Sequence, residues 1–303
     1  MTEIKLDAFT LSGEETENGI AVTGFEGGGA ILDLMSDKRI SAISRKAFLG
    51  CKSLKKVFLP ESIERLDDWC FSKCNNLKTI KINAPFKPGL FGRGVFEGCE
   101  NLKEIRFKDS EEDLGILLAM NTNRLLNEHL LKGDDVGQQS WYEKWDIALM
   151  ALLNTDDSEG SINTLVCGEE DISTDGIGSV DGEMPGETED FVKRAARNKC
   201  YLCFLRLNHG KYLKPDKKEL FEKYIKDRAF GEKKDYAWLT LKEDCEGEVD
   251  YYKLYLSIVK PSKDTIMAMV SDLNATQVQA KAFLINEAAA EESNTTGLDD
   301  LFL

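Results

Sequence analysis

A repeat of about 23 residues is the feature that most limits the folds open to this chain. Three segments, residues 47–60, 70–83 and 95–108, align without gaps, and the first two are 23 positions apart. Their shared apolar positions are Phe48, Phe71 and Phe96, then Cys51, Cys74 and Cys99, then Leu54, Leu77 and Leu102. A period in this range indicates a solenoid, in which each coil buries its apolar side against its neighbours.

The end of each segment alternates between apolar and polar residues, which is typical of a β-strand. The apolar pairs are Val57 and Leu59, Ile80 and Ile82, and Ile105 and Phe107. We therefore predict one short strand per coil, with these side chains turned inward. Neighbouring strands are expected to run parallel, about 4.8 Å apart.

The shared frame, F-x-x-C-x-x-L-x-x-(V/I)-x-(L/I/F), resembles the leucine-rich repeats of the Treponema pallidum/BspA type. In the first coil the matching residues are Ala47, Phe48, Cys51, Leu54, Val57, Leu59 and Pro60. Residues 19–34 resemble the entry segment of such proteins, an edge hairpin, and we assign the glycines of 24–30 to a hairpin turn. The resemblance implies a leucine-rich-repeat solenoid over residues 1–109 and a protein-binding role.

The eight cysteines of the chain are placed as apolar fillers. Stacked Cys51, Cys74 and Cys99 would have parallel Cβ vectors, which do not suit a disulfide. Cys200 and Cys203 form a C-x-x-C inside an apolar run, without a second pair at zinc-ligand spacing. We therefore predict free, buried thiols, no metal site and a reducing compartment.

The polar positions of the predicted strands form a basic face. The residues that we predict to bind a partner there, hereafter the basic strip, are Lys55, Lys56, Phe58, Lys78, Lys81, Lys103 and Arg106. Residues 32–109 hold 16 Lys and Arg against 10 Asp and Glu, whereas the whole chain has a net charge of −15. One interpretation is a docking surface for an acidic protein, and the other is a set of lysines that blunt association of an exposed sheet. We predict no nucleic-acid partner, because only Phe58 offers an exposed ring for stacking.

Residues 154–190 carry 12 Asp and Glu and neither Lys nor Arg. Because this composition buries little apolar surface, we predict a flexible acidic loop. It is either a solvated linker or a segment that docks on the basic strip of the same chain. The stretch 171–183 resembles a calcium loop through Asp171, Ser173 and Asp175, but Gly182 replaces the bidentate Glu, so we assign no metal to it.

From residue 110 onward the apolar period changes to that of helices. We predict a helical connection over 110–153 and an all-α domain over 191–303, built of ankyrin-like helical hairpins. The predicted helices are 117–131, 140–153, 189–207, 216–228, 249–259, 263–273 and 276–292. The expected fold is α+β, a short solenoid with parallel strands followed by helices.

Sequence motifs of enzymes are missing. His129 and His209 are the only histidines and lie 80 residues apart, and neither a nucleophile turn nor a phosphate-binding loop is visible. We therefore expect a non-enzymatic interaction module without a cofactor. An enzyme with its site in the helical domain is the remote alternative.

The location of the protein is an expectation from two features. No apolar run reaches the length of about 18 residues that a membrane span needs. The charged segment 1–15 lacks the apolar core of a secretory signal, which favours a cytoplasmic protein. The alternative is a cell-surface or secreted adhesin whose leader was removed. At the other end, the tip Leu298–Leu303 either folds back or inserts into a partner's groove.

Overall fold

The computed structural model describes residues 2–157, 186–245 and 247–299 and divides the chain into two compact units. The first unit is Met1–Ala148 and the second is Leu149–Leu303. Most of the segment that we predicted as a helical connection therefore belongs to the same unit as the solenoid. Each unit buries an apolar core of its own.

The strands of the first unit form two sheets. They are β1 (Thr2–Lys5), β2 (Phe9–Thr16), β3 (Gly19–Gly27), β4 (Ile31–Asp33), β5 (Ile40–Ile43), β6 (Lys56–Leu59), β7 (Arg65–Leu66), β8 (Thr79–Ile82) and β9 (Glu104–Phe107). One sheet has the order β1-β2-β3-β5-β7, antiparallel as far as β3 and parallel beyond it. The other has the order β4-β6-β8-β9 and is parallel throughout.

The predicted α+β fold with a parallel-strand solenoid is confirmed. In the second sheet Val57 pairs with Ile80, and Ile80 pairs with Ile105. All three side chains are fully buried. The register of the sheet therefore follows the sequence repeat, because strand residues one coil apart lie side by side.

The edge hairpin that we predicted over 19–34, with a turn at 24–30, is wrong, because β3 and β4 lie in different sheets. The antiparallel hairpin is formed by β2 and β3. Residues 24–27 continue β3, and the following glycines lead to β4 in the other sheet. At Gly29 an added Cβ would lie 2.7 Å from the Cβ of Ala8. A glycine is needed there because the chain crosses between sheets close to a neighbouring segment.

A column of stacked rings runs through the solenoid core. Ring centroids are 5.0 Å apart for Phe25 and Phe48, 5.3 Å for Phe48 and Phe71, and 6.3 Å for Phe71 and Phe96. The cysteine that follows the ring in the repeat also contacts the neighbouring coil. The Cys74 thiol donates a hydrogen bond to the Phe48 carbonyl at 3.1 Å. Each ring contact adds about 0.5–1.5 kcal/mol beyond the burial of its area.

Each coil turns twice through the left-handed backbone region. The residues at these positions are Lys46, Trp69 and Gly94 at the first turn, and Gly50, Lys73 and Gly98 at the second. They occur at the spacing of the repeat although their side chains differ. The backbone path is therefore conserved between coils at sites where the residue type is not.

The C-terminal end of the solenoid is covered by α1 (Glu112–Met120), which packs against the edge strand β9. Gly115 permits the approach, because an added Cβ would lie 2.9 Å from the Ile105 carbonyl oxygen. Our predicted helix 117–131 is wrong beyond this point. A π-helical turn, Asn121–Leu125, is followed by Leu126 with φ of 54° and a short 3-10 turn, Glu128–Leu131.

Local polar side chains account for this interruption. The Thr122 hydroxyl donates to the Ala119 carbonyl, and the Asn123 amide donates to the Leu102 carbonyl of the last coil. Such side-chain bonds compete with a regular helix. The chain resumes in α2 (Gln139–Leu153), whose Trp141 and Trp145 are buried.

The described residues of the second unit are helical, as predicted. Its helices are α3 (Gly186–Asn208), α4 (Pro215–Lys226), α5 (Tyr236–Glu243), α6 (Val249–Val259), α7 (Lys263–Asp272) and α8 (Val278–Asp299). Helix α3 packs against α4, α5 and α6, and α7 packs against α8. Helix α3 begins at Gly186, inside the flexible loop that we predicted over 154–190, so that prediction is wrong for residues 186–190.

Helix α5 was missing from the sequence prediction. Its Trp238 is fully buried and lies against Phe230, Tyr252 and Tyr255, with ring centroids 5.5 to 6.2 Å apart. The Tyr255 hydroxyl accepts a hydrogen bond from the Phe230 amide at 2.7 Å. Just before the last helix, the Asn274 amide donates a hydrogen bond to Gln277 Oε1 at 3.1 Å.

Candidate interaction surface

The basic strip lies on the polar side of the second sheet. Lys56 and Phe58 are in β6, Lys81 is in β8 and Arg106 is in β9. The three remaining members, Lys55, Lys78 and Lys103, come directly before these strands. Each stacks on the next through the backbone, since the Lys78 amide donates to the Lys55 carbonyl at 2.8 Å and the Lys103 amide to the Lys78 carbonyl at 2.9 Å.

Strand register arranges the basic strip in rows. Phe58 pairs with Lys81, and Lys81 pairs with Arg106. The Lys81 ammonium lies 6.0 Å from the centre of the Phe58 ring. A second row begins with the exposed Lys56 and passes through Thr79 to Glu104. The structure therefore brings the predicted side chains onto one face at the spacing of neighbouring strands, about 4.8 Å.

The positive charge of the basic strip is uneven. Arg106 forms an ion pair with Glu104, and the guanidinium is half-buried. In contrast, Lys55, Lys56 and Lys78 are exposed, and within the described residues they form no ion pair. The lysines of β6 and of the turns before β6 and β8 therefore carry most of the charge that is open to a partner.

An arginine–tryptophan cluster lies elsewhere on the first unit and was missed in the sequence. The Trp69 ring centre is 4.9 Å from Cζ of Arg45 and 4.5 Å from Cζ of Arg93. Its indole nitrogen donates to Glu97 at 3.1 Å. A backbone hydrogen bond from Arg93 and the charges of Arg93 and Arg45 lower the pKa of Asp68. A signal existed, because Arg45 and Arg93 precede Phe48 and Phe96 by the same three residues.

The cysteines in the described ranges are buried thiols, in agreement with their predicted packing role. Burial raises the pKa of the Cys200 thiol to about 12 and also raises that of Cys203. A hydrogen bond with Cys99 raises the pKa of Cys74. These thiols therefore stay protonated and poorly nucleophilic at neutral pH.

Several predicted features lie outside the described residues. These are Cys167, the calcium-loop residues Asp171, Ser173 and Asp175, most of the acidic loop, and the last four residues of the C-terminal tip. Among the residues that are described, no group of three or more His, Cys, Asp or Glu side chains could hold a metal ion. In the same ranges, every helix is too short or too polar to cross a membrane.

Comparison with known proteins identifies the repeats. Residues 20–129 match the model of the BspA type leucine-rich repeat region, with 6 copies. Among solved structures, a leucine-rich repeat protein from Bacteroides ovatus is 24% identical, with a TM-score of 0.28. That match covers 34% of this chain and 28% of the other, so the chain aligns with little more than a quarter of that protein's length. A search of curated proteins found no match.

Proposed function

Because residues 20–129 form a leucine-rich repeat region of the BspA type, we propose that this protein is a non-enzymatic interaction module that docks an acidic protein segment on its basic strip. Repeat regions of this architecture present an extended strand face to protein partners. The observation that carries the proposal is the group of exposed lysines on that face, Lys55, Lys56 and Lys78, which form no ion pair with any other described residue.

Charge and shape together favour an acidic protein segment. Lysines one coil apart are separated by about the strand spacing, so an extended peptide lying across the strands would meet successive ammonium groups. The Phe58 ring, half-buried beside Lys81, offers an apolar contact within the charged face. Electrostatic complementarity of this kind speeds association and selects partners more than it raises affinity.

The proposal is tested by reversing charge on the basic strip. The variant Lys55→Glu/Lys56→Glu/Lys78→Glu/Lys81→Glu is compared with a control of equal charge change, Lys38→Glu/Lys52→Glu/Lys73→Glu/Lys87→Glu, in capture from source-cell lysate at two salt concentrations. Partners held by wild type and the control, lost by the strip variant and released by salt support the proposal. Retention of the same partners by the strip variant overturns it.

The second interpretation of the basic strip is that it prevents self-association, and this predicts a different experimental result. Replacing the same four lysines by alanine would then raise the apparent mass in light scattering without affecting partner capture. Docking predicts the reverse pattern, with capture lost and the mass unchanged.

We also propose that the acidic loop of the chain competes for the basic strip. Its composition supports this, because it contributes −12 to the net charge of −15 and holds neither Lys nor Arg. A labelled peptide with the sequence of residues 155–188 should bind wild type in fluorescence anisotropy and should be displaced by salt. Equal binding by the four-lysine strip variant would show that the loop does not recognise this face.

A cytoplasmic location is proposed from the cysteines. The cysteines that the structure describes are free and buried, which suits a reducing compartment. The protein is purified from its source without reductant and is then unfolded for thiol titration. The titration should give one thiol for each of the eight cysteines. Protected pairs would instead favour the secreted or surface-exposed alternative.

A further inference from the structure

A cavity of about 370 Å³ lies at the C-terminal end of the solenoid, within the first unit. Its walls come from the turn at residues 94–100 and from the interrupted helix at residues 121–131. This volume is within the range of sites for small molecules or single side chains. The cavity is separate from the basic strip in its lining residues.

Two asparagine side chains in the cavity lining each leave a buried acceptor without a donor. The Asn121 amide nitrogen donates to the Asn127 carbonyl at 2.7 Å, and that of Asn123 donates to the Leu102 carbonyl at 2.8 Å. These bonds fix the orientation of both amides. Oδ1 of Asn121 and Oδ1 of Asn123 are buried and receive no hydrogen bond from the described residues. Asn121 as a whole is only 1% exposed.

An unsatisfied buried acceptor costs about 1–3 kcal/mol, so two in one lining require an explanation. The backbone that carries them is also unusual. Asn121–Leu125 is a π-helical turn, and the following Leu126 is held at φ of 54° with its side chain 75% exposed. Such irregular helical turns recur at functional sites. Asn121 and Asn123 both line the cavity, so a ligand that donates hydrogen bonds there would satisfy these acceptors once a shift of the side chains uncovers them.

The charged residues of the lining are both acidic. Glu97 and Glu100 are exposed at the cavity. Glu97 accepts one hydrogen bond from the Trp69 indole at Oε2. Leu126 and Leu131 contribute apolar surface to the same lining. The cavity therefore combines hydrogen-bond acceptors, negative charge and an apolar wall.

We propose that this cavity binds the guanidinium group of an arginine side chain from a partner peptide. A guanidinium carries five N–H donors and a permanent positive charge in one plane, and it loses hydration more readily than an ammonium. Its methylene stem would lie on Leu126 and Leu131, with the carboxylates of Glu97 and Glu100 around the charge. A metal ion is a poorer fit, because the described residues hold no cluster of metal-ligating side chains.

The test uses N-acetyl-L-arginine amide, which mimics an arginine within a peptide, in calorimetric or NMR titration of the full chain. We expect saturable binding with a Kd on the order of 1 mM, as fits a ligand of this size. N-acetyl-L-citrulline amide, which keeps the shape and loses the charge, should bind at least fivefold more weakly. The same holds for N-acetyl-L-lysine amide, which has the charge without the planar donors.

Variants place the binding in the cavity. Glu97→Gln/Glu100→Gln should weaken the arginine probe at least fivefold, because glutamine keeps the shape and removes the charge. The control Glu14→Gln/Glu26→Gln changes two exposed carboxylates away from the lining and should bind as wild type does. The four-lysine strip variant should also bind normally, so this result is independent of the docking proposed above.

Three results would overturn the inference. They are the absence of saturable binding, equal binding of the citrulline compound, and unchanged affinity in the Glu97/Glu100 variant. Tighter binding of free L-arginine than of the capped probe would overturn the assignment to a peptide side chain.

Discussion

The two units hold their cores together in different ways. In the solenoid, Phe71 lies between Phe48 and Phe96, which occupy its own position in neighbouring coils. In the helical unit, Trp238 lies against Phe230 and Tyr255, at positions that no repeat in the described residues relates to one another. The solenoid core repeats one kind of ring contact from coil to coil, whereas the ring contacts of the helical core differ from one another.

This difference determines what a substitution removes. In the solenoid, truncating a phenylalanine inside the column removes the same kind of ring contact on both of its sides. The loss of stability therefore depends on the position of that residue in the column. In the helical unit, a single polar atom such as the Tyr255 hydroxyl completes a hydrogen bond that no neighbour can replace. The predictions below test whether the two cores respond in these two ways.

The largest effect is expected for Phe71→Ala, in the middle of the ring column. It should lower the free energy of unfolding by about 3–5 kcal/mol, since the side chain is fully buried and nothing fills the space. Phe25→Ala, at the half-buried end of the column, should cost about half as much. Hydrogen exchange of the backbone amides of β6 and β8 measures the loss of stability in the two variants. Equal losses would show that position in the column does not matter.

Alkaline pH should weaken the helical unit through Cys200. Its pKa is raised to about 12 in the folded protein, so above the unfolded value the unfolded chain loses the proton first and stability falls as pH rises. Between pH 8 and 11, wild type should lose about 3 kcal/mol more than Cys200→Ala. Urea unfolding at both pH values measures the difference. Parallel losses in the two proteins would contradict a protonated, buried thiol.

A smaller loss is expected for Tyr255→Phe. It leaves the Phe230 amide without its acceptor, which should cost about 1–2 kcal/mol with no change in the ring contacts. Tyr252→Phe removes a donor to the Leu241 carbonyl and should cost less, because that oxygen has a second lone pair. Thermal unfolding separates the two variants. A larger cost at Tyr252 would mean that the bond to the Leu241 carbonyl, and not the bond from the Phe230 amide, contributes more to stability.

The smallest effect on stability is expected at the basic strip. The four-lysine charge reversal should change the free energy of unfolding of the first unit by less than about 1 kcal/mol, since these side chains are on the surface. The same variant should lose its acidic partner. A large loss of stability would mean that the lysines support the sheet, and the capture experiment would then need single substitutions.

The solenoid could be predicted from the sequence because its contacts recur at a fixed period. Phe48, Phe71 and Phe96 occupy the same position of the repeat, so each one predicts the others. The register of β6, β8 and β9 follows from this alignment. Phe25 lies 23 residues before Phe48, at the spacing of the repeat. It was missed because its segment was assigned to an entry hairpin, although its ring completes the same column.

The helical unit was predicted less completely for the opposite reason. Helix α5 is eight residues long, and its stability comes from tertiary contacts of Trp238 that no local pattern contains. The cavity at the end of the solenoid was also invisible in the sequence. It depends on Leu126 adopting a left-handed conformation and on Asn121 and Asn123 facing the same space, which the chain achieves only in three dimensions.

The helix α1 across β9 also constrains how this protein can change its length over generations. A solenoid with an open end can gain a coil by simple extension, whereas here the last strand is covered at the position of Gly115. A duplicated stretch of about 23 residues fits only between existing coils, where the Phe and Cys side chains of the coils on both sides pack against it. Relatives that differ in length should therefore differ inside the array and retain the same closing helix.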